Sequence, residues 1–385
     1  MNKIIPFIFI IVVFFIQLVS GINYFLFPIT LNEQGYSTTF IGISMAFEVL
    51  AIIMLCTHIP KVIKKLGTAN TIILASLIRA IVVFLMENNE SAWSWILAIF
   101  LYGASTSAIL VLFQTWINMA KVGKLRGLVL GLYSSVLSLG IATGPVLLQF
   151  VPEHLRFDLG AGISLLPLLL LLIHAKHRPT IIANEVVRLR YIFSNSKLIM
   201  LSAFVGGICF FGLPSFLTLY GLSNGLSATE ASLLLPMFMI GSICAGAILS
   251  TVSGFVDKMK LIYACIFTSV ICAVFLALAV YAHFQIAMGL LFAWGGCMGG
   301  VYAVGLEYIG NTFSQEDQMS ANTSFVFMDA SGGLMGLCVI GISTDLIGSE
   351  GLTYPVIIAS ASYLIYITRR SVIKPRVKIR HKLVK

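Results

Sequence analysis

Twelve runs of mostly apolar residues, each long enough to cross a bilayer, fill almost the whole chain. A transmembrane helix needs about 20 such residues. The runs cover 4–30, 38–59, 69–87, 93–119, 126–151, 158–176, 197–221, 228–254, 259–282, 284–310, 320–347 and 352–369. Hydrocarbon offers no water to backbone N–H and C=O groups, so only helices and closed barrels can span it, and these runs are too long and continuous for barrel strands. The sequence therefore predicts an all-α membrane protein with twelve transmembrane helices. Composition leads to the same class. Of 385 residues, 59% are hydrophobic and only 10% charged, against about 25% charged in a soluble domain. The mean hydropathy is +1.00. A soluble enzyme, a secreted disulfide scaffold, a disordered chain and a nucleic-acid binder are all excluded, because a water-soluble chain of this size could not hide so much apolar surface.

Basic residues give the expected orientation, since cytoplasmic loops collect Lys and Arg. With the N-terminus inside, all of them except Arg156 and the intrahelical Arg79 fall on the inner side. Both termini are thus expected in the cytoplasm. The formal net charge of +9 reflects loops and tail rather than a nucleic-acid surface. The first run begins like a signal peptide, with Lys3 and then Val19-Ser20-Gly21. Its apolar stretch continues to Pro28, past the short core of 7–15 residues that a cleaved signal has. It is read as an uncleaved first helix.

The stretch from His174 to Lys197 is the one long polar connector. It divides the chain into a bundle over 1–176, a cytoplasmic loop over 177–196, a second bundle over 197–369 and a basic tail over 370–385. The halves echo each other. Tyr102-Gly103 leads to Trp116 at the same interval as Trp294-Gly295 leads to Tyr308, and Gly140-xxx-Gly144 matches Gly332-xxx-Gly336. A six-plus-six duplication is the organisation of a secondary transporter with its site between the halves.

With these features the chain resembles the major facilitator superfamily over essentially its full length. Gly140-xxx-Gly144-Pro145 is similar to the family's motif C, which is associated with antiport; small residues let helices approach and Pro bends one of them. Lys124-Leu125-Arg126-Gly127 followed by Gly131-Leu132-Tyr133 is similar to the start of the fifth helix in a bacterial branch of exporters. Asp345 matches an acid that often ends the eleventh helix. Two departures stand out. The loop after the second helix reads Pro60-Lys61-Val62-Ile63-Lys64-Lys65-Leu66-Gly67, keeping Gly67 but putting Lys64 where the family has an aspartate. Its counterpart Gly254-Phe255-Val256-Asp257-Lys258 keeps the acid. The buried arginine of motif B is missing near Ile99. Gly67, Arg126, Gly140, Gly144, Pro145 and Asp257 form the expected gating and packing set.

An ionisable group at helix centre is costly and marks function by default. Four fall in the predicted spans: Glu48, Arg79, Glu307 and Asp329. Asp329, followed by Ala330-Ser331-Gly332-Gly333, is the first candidate for a carboxyl that takes up and releases a proton; the competing reading is a structural acid bonded to a neighbouring helix. Glu307 could hold a proton or substrate, or bond the start of an adjacent helix. Glu48 is a third proton-coupling candidate. Glu48 and Arg79 lie at similar depth on neighbouring helices, so they could pair; alternatively Arg79 faces the cavity and attracts an anion. Asn23, Tyr24 and Gln114 are candidates for the substrate cavity.

The seven cysteines lie in apolar stretches without a CxxC or Cys/His cluster and are read as reduced. No metal, cofactor, Walker A loop, GxSxG or HExxH motif is found, so an enzyme is not expected. The sequence reading is a monomeric transporter of the bacterial inner membrane, in contact with lipid. It would export a small organic molecule (a drug, metabolite or siderophore) in exchange for protons. The alternatives are a proton-coupled importer of a nutrient or iron chelate, and a membrane sensor or assembly protein that moves nothing.

Overall fold

The computed structural model describes residues 5–56, 62, 65–119, 126–168, 189–313 and 315–373, and every regular element among them is a helix. In chain order the main helices are α1 (Ile5–Glu33), α2 (Thr38–Cys56), α3 (Thr68–Met86), α4 (Ala92–Met119), α5 (Arg126–Leu148) and α6 (Arg156–Ser164). The second set is α7 (Lys197–Ser223), α8 (Ala228–Val252), α9 (Lys258–Ala282), α10 (Phe284–Thr312), α11 (Gln315–Ile347) and α12 (Tyr354–Ile373). A short helix, Leu189–Asn195, precedes α7. Ten described helices are long and apolar enough to cross a membrane. The other two predicted spans are described only in part: α5 runs for 23 residues with Ser135–Leu148 its fully described apolar portion, and α6 leads toward residues 169–188, outside the described set together with most of the central loop and the tail.

Pro28 does not end α1, which continues to Glu33. The turn that does end it depends on Gly35, whose φ of 81° is costly for any residue with a Cβ. Gly35 N–H bonds to Asn32 O and Tyr36 N–H reaches back to Leu31 O, each at 3.0 Å, closing the helix with a Schellman-type cap. Ser37 then accepts from Phe40 N–H at 3.2 Å and starts α2. The same device recurs between α7 and α8. Gly225 has φ 82°, Leu226 N–H reaches Gly221 O at 3.1 Å, and Ser227 caps α8 in a capping box with Glu230. Gln34-Gly35-Tyr36-Ser37 and Asn224-Gly225-Leu226-Ser227 are thus one turn used twice.

Each half repeats one packing plan. In the first, α1 packs on α5, α2 on α4, and α3 on α4 and α6; in the second, α7 packs on α11, α8 on α10, and α9 on α10 and α12. Glycines set the crossings. A Cβ on Gly103 would stand 2.7 Å from Glu48 Cα, and one on Gly295 2.7 Å from the Phe238 carbonyl carbon. Backbones therefore touch at equivalent points of the α2–α4 and α8–α10 pairs. The residue before each glycine, Tyr102 or Trp294, is fully buried. Tyr102 meets Phe27 edge-on at 6.0 Å, and Trp294 meets Phe238 edge-on at 6.4 Å. One feature has no partner in the described part of the first half: a π-helical turn at Ile208–Gly212 inside α7.

The halves meet through α2 against α11, α5 against α8 and α1 against α7. All the described hydrogen bonds between halves lie at one end, the end that the basic residues assign to the outside. Thr38 and Thr39 bond to α11 there, and Gln149 donates to Ser232 Oγ at 2.7 Å.

Gly295→Val should lower stability by about 1–3 kcal/mol, because the branched side chain has to push α8 and α10 apart. Gly289→Ala should be neutral, since nothing stands within 4 Å of its Cβ position. Melting of both variants in detergent checks this; equal midpoints would refute the crossing.

Candidate functional site

Arg79 on α3 is 1% exposed. A guanidinium so deep requires acceptors, and α1 and α4 supply them. Its Nη2 donates to Tyr102 Oη at 2.6 Å, to Ile16 O at 2.5 Å and toward Ser20 Oγ at 3.3 Å. The guanidinium carbon also sits 4.6 Å from the Tyr102 ring centroid. Its Nε and Nη1 have no hydrogen-bond partner among the described residues, and neither has the side-chain amide of Asn23, which is 2% exposed. Glu48, 5% exposed, and Tyr24 are electrostatic neighbours of Arg79. They complete a polar cluster inside the first half. The two ion pairs among the described residues are Glu153–Arg156 and Lys258–Glu307. Glu48 and Arg79 therefore share a cluster without being in ion-pair contact. Buried donors left open beside a buried acid suit a ligand, a water or a shifted Glu48 that completes their bonds in another state.

Asp329 occupies the matching depth of the second half and is 9% exposed. The backbone of α7 presses on it: a Cβ at Gly207 would collide with the Asp329 carbonyl, and one at Gly206 would sit 3.8 Å from Oδ1. Tyr302 on α10 and Cys209 on α7 are its electrostatic neighbours, and Tyr302 in turn senses Tyr133 on α5 of the other half. Among the described residues the carboxyl has neither an ion pair nor a hydrogen bond.

Glu307 is engaged. Its Oε1 lies 2.7 Å from Lys258 Nζ and its Oε2 accepts from Ser253 Oγ. Lys258 also donates to Ser253 O at 3.1 Å. Next to it, Asp257 caps α9 by accepting from Met259 N–H at 3.0 Å and Lys260 N–H at 3.1 Å. The ends of α8, α9 and α10 are thereby locked together. Among the described residues the first half shows no equivalent: α3 starts after Gly67, φ 80°, with no side-chain cap where α9 has Asp257.

Gly140 and Gly144 form the α1–α5 crossing. A Cβ on Gly140 would lie 2.6 Å from Gln17 Cβ, and one on Gly144 2.5 Å from the Gly21 carbonyl carbon. Pro145 lies within the last turn of α5, which ends at Leu148. The side chains of Gln114 and Arg126 lie outside the described residues.

The sequence reading did not foresee the outer latch. Asp345 at the end of α11 accepts from Thr38 N–H at 2.9 Å and Thr39 N–H at 2.7 Å on α2. Thr38 Oγ1 lies 2.5 Å from Asp345 Oδ1 and 3.0 Å from Gly341 O, and its proton serves either. The first N–H groups of a helix have no partner of their own, and its N-terminus favours negative charge. Here the opposite half supplies the capping carboxylate. The sequence signal was present in Ser37-Thr38-Thr39 after a turn glycine and in the terminal Asp345. What was missing was which helices face each other. Tyr102 was missed for the same reason.

Asp345→Ala should loosen the outer end. Phe216, 2% exposed, lines a cavity of about 460 Å³ beside Thr38. In a cysteine-free background, labelling of Phe216→Cys by an impermeant maleimide should rise several-fold with Asp345→Ala. Unchanged labelling would show that the latch does not hold the halves together. Tyr102→Phe removes the Arg79 acceptor and should cost about 1–3 kcal/mol, read as a lower melting midpoint.

Comparison with known proteins places this geometry. The family model described as Major Facilitator Superfamily matches residues 9–368. An uncharacterized MFS-type transporter, YfkF of Bacillus subtilis (strain 168), is 23% identical over 290 residues, 73% of each chain. Among solved structures, the nucleoside transporter NupG aligns with TM-score 0.76 at 16% identity, covering 98% of this chain and 100% of its own. A bacterial homolog of the human lysosomal transporter Spinster, inward-facing and occupied, aligns with TM-score 0.75 at 13% identity, covering 95% and 96%.

Proposed function

Since this chain belongs to the major facilitator superfamily and is a multi-pass membrane transporter rather than an enzyme, we propose that it exports a small organic molecule across the bacterial inner membrane in exchange for protons. Asp329 is proposed as the proton-carrying group. The observation that carries this reading is its carboxyl: nearly buried, without a polar partner among the described residues, and set on the α7–α11 crossing. A proton bound there changes the charge at a packed contact, and such a change shifts the balance between two packed states. Glu48 is the second proposed proton site, with Arg79, Asn23 and Tyr24 beside it as contacts for substrate.

The direction rests on the likeness of Gly140-xxx-Gly144-Pro145 to motif C. Among the described residues the hydrogen bonds between halves gather at the expected outer end, which supports a state that loads from the cytoplasm. The likeness to a nucleoside transporter is one of fold, at 16% identity; nucleosides are simply among the compounds to be scored.

The test compares small molecules inside and outside cells carrying the wild type, a deletion, or Asp329→Asn. The expected result is a compound retained several-fold inside both altered strains and depleted from their medium. A compound left in the medium and missing inside would reverse the direction. Asp329→Asn behaving as wild type would remove Asp329 from the cycle while leaving export intact. No difference between wild type and deletion for any compound would favour a protein that does not turn over.

A further inference from the structure

A groove of about 680 Å³ runs along the outside of the second half, walled by α7, α11 and α12. Leu201, Ile208, Met335, Val339, Ile358 and Tyr366 give its lining an almost wholly apolar character. On α12 it extends from Tyr354 to Tyr366, about 18 Å at the helical rise. One leaflet of hydrocarbon is about 15 Å deep, so the groove reaches past the depth of one leaflet and is long enough for an acyl chain.

Its two ends differ in charge. At the inner end Leu201 and Tyr366 line the wall, and one turn beyond them stand Lys197 on α7 and Arg369 on α12, both exposed. Tyr363 Oη donates to Leu198 O at 3.2 Å and ties the two helices together there. Arg190 is exposed on the short helix just before α7. No Asp or Glu occurs in Leu189–Gly207 or Tyr354–Ile373; the acids at this end, Glu316 and Asp317, begin α11. At the other end stands Glu350, which accepts from Tyr354 Oη at 2.9 Å. A negative headgroup is therefore attracted to one end of the groove and repelled from the other.

We propose that this groove is a site for one anionic phospholipid, with an acyl chain between α7, α11 and α12 and its phosphate held by Lys197 and Arg369. Length, apolar wall and one-sided positive charge together fit a phospholipid. A transmembrane helix of a partner needs no basic pair at one end. The floor includes Ile208, in the π-helical turn, and Gly336, whose Cβ position is 2.8 Å from Ile208 Cα. A bound chain fills space against the same crossing that carries Asp329.

The full-length protein, purified in detergent, is mixed with equal amounts of phosphatidylglycerol and phosphatidylcholine and its adducts are weighed by native mass spectrometry. The wild type should carry phosphatidylglycerol at roughly threefold or more over phosphatidylcholine. The double variant Lys197→Gln, Arg369→Gln alters only exposed side chains and should bind the two lipids equally. Ala359→Phe puts a ring into the groove and should reduce both adducts. Equal binding of the two lipids by wild type, or a preference that survives in the double variant, would overturn the proposal. So would a second copy of the chain that is lost with Ala359→Phe. If Ala359→Phe fails to fold, the double variant decides.

Discussion

Backbone-on-backbone contact at glycines holds this molecule together. In water, helices associate because their apolar faces escape solvent. In lipid, that gain is absent, since hydrocarbon tails suit leucine as well as another helix does. What remains is close packing, which requires small residues where axes cross. Gly21, Gly140 and Gly144 join α1 to α5; Gly207, Gly332 and Gly336 join α7 to α11; Gly103 and Gly295 set the α2–α4 and α8–α10 crossings. These contacts leave no slack for a side chain, so the helices of each half are packed backbone to backbone, and the proposed transport cycle would place its movement at the seams between halves.

The two halves share this frame and differ in where they put charge. The first keeps Arg79 inside, with Tyr102, Ser20 and a backbone carbonyl as acceptors. The second keeps Asp329 inside. At the inner end only the second half has an ion-paired clasp among the described residues, through Lys258, Glu307 and Ser253. At the outer end Asp345 crosses from the second half to cap α2 of the first. Capping a helix with the other half's carboxylate makes closure of the seam and completion of α2 one event. When the seam opens, water must satisfy both the α2 N–H groups and the carboxylate.

Class, helix order and the internal repeat were legible in the sequence because lipid enforces them through hydropathy alone. Gly103 and Gly295 were recognisable as equivalent, and they occupy equivalent crossings. The turn shared by Gly35 and Gly225 was not read, although Gly-x-Ser stands at both places, because it lies in short loops where hydropathy gives no contrast. Side-chain partners were not legible. Glu48 and Arg79 sit at the depth that counting from the loops assigns, but counting fixes height and leaves rotation about the helix axis open. Arg79 turns to Tyr102 and Ile16, which no spacing rule selects. Glu307 likewise turns to Lys258, across a helix boundary that the sequence placed near it without saying which way either side chain faced.

Rotation also explains why the α7–α11 crossing gathers so much. The π-helical turn at Ile208–Gly212 inserts an extra residue into α7 and so changes which face its outer part presents. Before the turn, Gly206 and Gly207 lie against Asp329; within it, Ile208 lies against Gly336 and lines the lipid-facing groove. Beyond it, Phe216 faces the outer cavity beside Thr38. A single helix thus addresses the proposed proton site, the bilayer and the outer latch at successive heights. A uniform α-helix would keep those three faces in fixed angular register. The extra residue of the π turn breaks that register, so that Gly206 and Gly207 meet Asp329, Ile208 lines the groove and Phe216 lines the outer cavity from one helix.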